Sequence, residues 1–286
     1  MSDVALGAGV AVVVFGGLIY LLNRFNESEI RRTHRKHLRQ LVGRSLTDVR
    51  ASGDRIDGTN DGVPIRIEGG WSPGTHLDEV VLTTSATIVG GRLAPFTVPS
   101  ITEDRLAREG LPTDRVPRNE LLLSASITCD GTTIAVRTTK TWSLGAAIAL
   151  VAQLAHAPRH ALSRLAGHAG LGATDLDAAH ALRLGSTSRP VAVTIDGGVR
   201  LSIDATPLEG LTSGTLGAAI TDLRDHVRGP ELAALASHLT GTLEIDRRDE
   251  GDRLSLTIPL ATPNDHVLRA VELVDRLTET ERGPFR

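Results

Sequence analysis

Aromatic side chains make up only 2% of this 286-residue chain, and past Phe25 they dwindle to Trp71, Phe96, Trp142 and Phe285. A surface that holds unpaired bases needs rings to stack on, so single-stranded nucleic acid is excluded as a partner. The core must be built from Leu, Val, Ile and Ala. Cysteine is scarcer still. Cys129 stands alone, which excludes an intrachain disulfide and a multi-cysteine metal site and fits a reducing compartment. Lysine occurs only at positions 36 and 140, so Arg carries nearly all the positive charge. With the Ala and Gly content, that points to a GC-rich bacterial genome. The formal net charge is -3, and the bases crowd near the N-terminus. The remainder is mildly acidic, which again argues against nucleic acid.

What is present begins with Val4–Leu22, a run of nineteen residues without a charge. As a helix it would measure about 28 Å, close to the hydrocarbon thickness of a bilayer. Arg24, Arg31, Arg32, Arg35, Lys36 and Arg39 follow it, so the positive-inside rule places the N-terminus outside and the body in the cytoplasm. A cleaved signal peptide would need a basic start and a small-x-small cleavage site, and neither is seen. The expectation is a single-pass inner-membrane anchor over 1–23. Gly7, Gly9 and Ala11 supply small residues through which two such helices could associate into a homo-oligomer. Residues 24–44 read as a basic juxtamembrane helix. Arg31, Arg32, Arg35, Lys36 and Arg39 are candidate contacts for anionic lipid headgroups.

The body reads as α+β: antiparallel hairpins set beside helices, with no regular βαβ alternation. Val63–Glu68 and Leu77–Thr84 have strand character, Glu103–Glu109 is a short helix, and Asp130-Gly131 marks a hairpin. Ser143 is expected to cap a buried helix running to about His156. The chain then starts again. Val63–Glu68 with Gly69-Gly70 recurs as Val191–Asp196 with Gly197-Gly198, and Ile127–Asp130 recurs as Leu243–Asp246. The second pass reads as strands 180–184, 190–196 and 199–205, helices near 214–228 and 230–239, hairpin 241–260 and helix 264–279. A tandem duplication is expected, with units at 45–158 and 173–286 and a linker at 159–172.

Candidate sites are few. Asp57-Gly58-Thr59-Asn60-Asp61-Gly62 with Glu68 is similar to a calcium-binding EF-hand loop, with Asp57, Thr59, Asp61 and Glu68 at ligand positions. Thr59 and Pro64 depart from that pattern, and a turn between strands explains the same residues. His34/His37 and His156/His160 have ligand-like spacing but lack a third partner. Gly167–Gly172 is glycine-rich, yet it follows a helical stretch and reads as linker. The Asp and Arg residues of 246–253 read as a solvated turn. No stretch is read as a catalytic signature, and no metal or other cofactor is expected. The expected function is therefore a membrane-anchored, non-catalytic adaptor or scaffold that binds another protein. The alternatives are a membrane-tethered enzyme with its site in the cleft between the units, and a sensor of anionic lipid surfaces.

Overall fold

The computed structural model describes residues 32–70 (34, 35, 37 and 41 apart), 79–114, 125–171, 181–185, 189–205, 211–223, 229–249 and 251–279. The expected anchor, its small-residue patch at Gly7, Gly9 and Ala11, and the His34/His37 pair lie outside these residues. Among the described residues no helix is long and apolar enough to cross a membrane.

The body is α+β, with two antiparallel sheets and helices. The first sheet contains β1 (Thr47–Ser52), β2 (Arg55–Asn60), β3 (Val63–Gly70), β4 (Glu79–Thr87), β5 (Phe96–Val98), β6 (Ser126–Cys129) and β7 (Thr133–Lys140), in spatial order β1-β2-β3-β4-β7-β6-β5. Its register puts Ile65, Ile67, Leu82, Ala86, Ile134 and Val136 on one face. All six are buried, because the core helix Leu144–Ala155 lies across β3, β4 and β7. Truncating a fully buried leucine such as Leu82 in such a layer costs about 2–5 kcal/mol. The alternate residues, among them Arg66, Glu68, Thr87 and Arg137, are exposed, as period two requires.

The core helix is buried at Leu144, Ile148, Val151 and Ala155, the expected stripe, and almost all round. Its start differs from expectation. Ser143 occupies the N-cap, but its side chain makes no capping bond; Oγ donates instead to the Lys140 carbonyl at 2.7 Å. A turn of 3-10 helix, Thr141–Ser143, carries β7 into the helix, and that tighter path turns the hydroxyl back towards the strand.

The second sheet contains β8 (Leu182–Leu184), β9 (Val191–Ile195), β10 (Val199–Ala205), β11 (Gly214–Thr215), β12 (Thr242–Asp246) and β13 (Asp252–Ile258), in order β11-β12-β13-β10-β9-β8. Counted from β2, the first sheet has the same path: three meandering strands, a crossover, and three strands returning from the far edge. Helices interrupt each return, Glu103–Arg108 in the first sheet and Leu216–Asp222 with Gly229–Ala236 in the second. A closing helix, Asn264–Glu279, then packs on β9, β10 and β13, as the core helix packs on β3, β4 and β7.

The stretch expected as a linker joins the sheets as a helix, Ala157–His168. Leu162, Leu165 and Ala166 form its buried stripe against β9, and Pro158 sits in its first turn, where a missing N–H is harmless. Gly170 ends it with φ +75°, the Leu171 N–H donating to the Ala166 carbonyl.

The loop Ile88–Leu93 ties the sheets together. Arg92 N–H donates to the Ile195 carbonyl at 2.9 Å and Gly197 N–H to the Arg92 carbonyl at 3.1 Å, while Val89 N–H fixes the loop to the Ala155 carbonyl of the core helix at 2.8 Å. Gly91 permits this approach, since a Cβ there would stand 2.5 Å from the Ile195 oxygen. The units therefore share backbone hydrogen bonds and not side-chain contacts alone.

Candidate functional site

Two hollows open where the units meet, of about 570 Å³ and about 430 Å³. Both are lined by Leu111, Leu260 and Ala261, so they form one trough divided by a saddle. The saddle is the contact of Gly110 with the turn after β13. Gly110 ends the helix Glu103–Arg108, with Gly110 N–H donating to Ala107 and Leu111 N–H to Leu106. Its φ of +70° suits glycine, and a Cβ there would lie 2.6 Å from both Ala261 N and Leu260 C.

The larger hollow carries the polar groups. His160 and Arg164, one turn apart on the joining helix, line it and are exposed. Asp114 lines it from the first unit, its Oδ2 accepting from Gln153 Nε2 at 3.2 Å. Gln153 is the sole polar residue of an otherwise apolar helix, a signal that would have pointed to this role in the sequence. Thr262 and Asn264 bring the start of the closing helix to the same hollow, and Leu162, Leu165 and Val267 give it apolar lining. Nearby, His168 Nε2 meets the Asp265 carboxylate and links the joining helix to the closing helix. The hollow can thus hold an anionic group at His160 and Arg164 beside aliphatic side chains. The smaller hollow is more apolar, with Leu93, Phe96 and Ile258, and has Arg108 and Glu109 in its lining.

The calcium-like residues come out elsewhere. Asp57 and Thr59 lie on β2 and Glu68 on β3, with register Asn60↔Val63, so Asp61-Gly62 is a two-residue hairpin turn. Their φ values of +50° and +78° match the turn type that twists with the strands. The loop therefore does not wrap around a centre. Asp57 instead accepts from Arg55 Nε at 2.7 Å and from Arg66 Nε at 3.3 Å, which holds its pKa below the ordinary carboxylate value, Arg55 having the larger effect. Two guanidiniums beside the first ligand position are unsuited to a cation. Among the described residues no three of His, Cys, Asp and Glu come together as a metal group.

Of the headgroup candidates, Arg32, Lys36 and Arg39 are exposed, and Arg31 and Arg35 lie outside the described residues. His156 and His160 stand edge to face, ring centroids 6.4 Å apart. The acidic turn of 246–253 is not wholly solvated. Asp252 is 4% exposed and accepts from Arg247 Nη1 at 3.0 Å, because the sheet register turns it inward opposite Ala205. One pattern escaped the sequence reading: Gly70-Trp71-Ser72-Pro73-Gly74 has the spacing of a nucleophile elbow. An elbow requires a strand followed by a helix. Here β3 and β4 flank the segment as an antiparallel pair with Gly70 opposite Val81, and residues 71–78 lie outside the described residues.

No family model matches the chain, and no curated protein or solved structure matches it either.

Proposed function

We propose that this chain is a single-pass inner-membrane protein that holds a duplicated α+β body in the cytoplasm as a non-catalytic adaptor, its trough receiving a segment of another protein. The observation that carries this reading is the pair of adjoining hollows that share Leu111, Leu260 and Ala261, where successive side chains of one segment could seat. The common strand order supports a tandem duplication, with units 45–158 and 173–286 and the joining helix between them. Backbone bonds between the units give the trough a fixed shape, and a preformed groove avoids an ordering cost on binding. Strand addition is the weaker route, because the outer strands are short or irregular.

A second reading, an enzyme with its site in the cleft, draws on Asp114, His160 and Arg164 lining one hollow. A photo-crosslinking residue placed in turn at Thr262, Thr240 and Thr87 of the full chain, in native membranes, tests the first reading. The adaptor yields one adduct of a single mass from Thr262 and Thr240, in the two hollows, and none from Thr87 on the open face. No adduct, or the same adduct from Thr87, overturns the trough as a protein site. An adduct that survives His160→Gln and Arg164→Gln sets aside a catalytic use of those side chains on the partner.

A further inference from the structure

We propose that the end of the first sheet bearing Trp142 and Val81 rests on an anionic lipid bilayer, a second membrane contact that builds on the anchored reading above. Among the described residues the exposed large hydrophobics are Val49, Val81 and Trp142, and Trp142 at 55% is the most exposed. Val81 and Trp142 share one end of the sheet. Val81 pairs with Gly70 at the close of β3, and Trp142 follows Lys140, which pairs with Glu79 at the opening of β4.

The chain enters the body from this same end. Leu46 packs on Gly58, the Ser45 carbonyl accepts from Asn60 Nδ2, and the Ser45 side chain lies against Gly145, three residues beyond Trp142. Eight residues earlier, Leu38 and Arg39 lie beside Gly53, Asp54 and Gly69. The helical residues 32, 33 and 36 precede them in the chain. Nine residues then separate Arg32 from Leu22, the close of the apolar run. Fully extended they reach about 30 Å, so a bilayer holding that run lies within a short tether of the Trp142 end. The far turns of the sheet stand about 25 Å further off, the length of its eight-residue strands.

The chemistry of this end suits a headgroup layer. Indole has an apolar body and a polar N–H, and it settles where hydrocarbon meets water. Arg32, Lys36 and Arg39 precede this end in the chain and are exposed, and Arg55 and Lys140 stand at the end itself, five bases against Asp54, Glu68 and Glu79. An anionic surface attracts such a cluster. A lone exposed apolar residue needs no explanation; here the most exposed one stands where the tether arrives.

The test uses the full chain with Trp71→Phe, reconstituted in vesicles of phosphatidylcholine and phosphatidylglycerol. The difference spectrum between the wild type and Trp142→Phe gives the same readout without altering Trp71. Trp142 emission should shift to the blue and lose most of its intensity when headgroup-nitroxide lipid is included. A reference chain, Trp71→Phe/Trp142→Phe/Thr87→Trp, places the ring at the far end and should keep its intensity. Chain that floats with the vesicles while Trp142 and Thr87→Trp are quenched alike overturns the proposal. Emission that is blue yet untouched by the nitroxide also overturns it, showing that a second copy or another protein covers the indole. Chain that fails to float with vesicles at all overturns the anchored reading and this contact with it.

Discussion

Replacing Gly110 by alanine drives a methyl group into the backbone of the opposite unit. The new carbon would sit 2.6 Å from Ala261 N and Leu260 C and 2.7 Å from the Leu260 oxygen. Carbon contacts are comfortable at about 3.5–4.0 Å, so the saddle must part by about 1 Å. Overpacking of this kind costs about 1–3 kcal/mol. The left-handed φ of +70° adds about 1–2 kcal/mol. A total of about 2–5 kcal/mol is a large part of the 5–15 kcal/mol by which proteins are commonly stable.

Gly170 supplies a matched control. It ends the joining helix in the same hydrogen-bonded motif with φ +75°, but a Cβ there meets nothing within 4 Å. Gly170→Ala should therefore show the conformational part alone, about 1–2 kcal/mol. Gly167, helical and open, should gain about 0.5–1 kcal/mol as alanine. Thermal unfolding of the full chain in one detergent should rank Gly167→Ala above wild type, then Gly170→Ala, then Gly110→Ala. Gly110→Ala should also weaken crosslinking from Thr262, because the trough changes shape. A Gly110→Ala midpoint equal to that of Gly170→Ala would refute the close approach of the units.

Further expectations concern single side chains. Cys129 is buried and burial raises its thiol pKa, so a water-soluble thiol reagent should react with native protein far more slowly than with unfolded chain; equal rates would contradict the packing of β6. Asp130 accepts from the Thr132 and Thr133 N–H groups, which lowers its pKa, Thr132 first. Its contribution is thus present above the ordinary aspartate value of about 3.9 and is lost as pH falls through the lower native value. Asp130→Ala should lower the melting temperature at pH 7 and do so progressively less as pH falls below about 3.9, and a penalty independent of pH would refute the turn's ionic character. Thr84 and Thr138 are buried with hydroxyls that find no partner among the described residues. Replacing either by valine should stabilise by about 1 kcal/mol in chemical denaturation, and a loss would mean that the hydroxyl is satisfied. Asp252→Ala leaves Arg247 without its carboxylate; Arg247 is 55% exposed, so a loss of about 1 kcal/mol is expected in chemical denaturation, and a loss of about 3–5 kcal/mol would show that both ends of the pair are desolvated.

Much of the fold was legible because it rests on local patterns. The helix Asn264–Glu279 repeats its apolar residues every three or four positions, and Pro263 marks its start. Asp130-Gly131 marks the turn between β6 and β7, and Val63–Glu68 alternates cleanly. β5 was not legible, since Pro95 and Pro99 bracket a three-residue strand and mask it. The crossover that sets β4 beside β7 depends on pairing across some fifty intervening positions, which no local period reports. The cleft was anticipated as a place between the units, but its contacts were not. Gly91 and Gly110 matter through backbone approach, and composition does not reveal which glycines have neighbours. Asp252 was misread because its inward direction follows from sheet register and not from its charged neighbours.

The outer strands carry a further consequence. β5 is bracketed by prolines, β11 has two residues and β8 three, and β1 breaks its ladder near Asp48, where φ is +52°. None offers a neighbouring molecule a long, regular rail of amides. Crowded copies should therefore slide past one another without knitting into ribbons, and abundance alone should not drive this protein into fibrils.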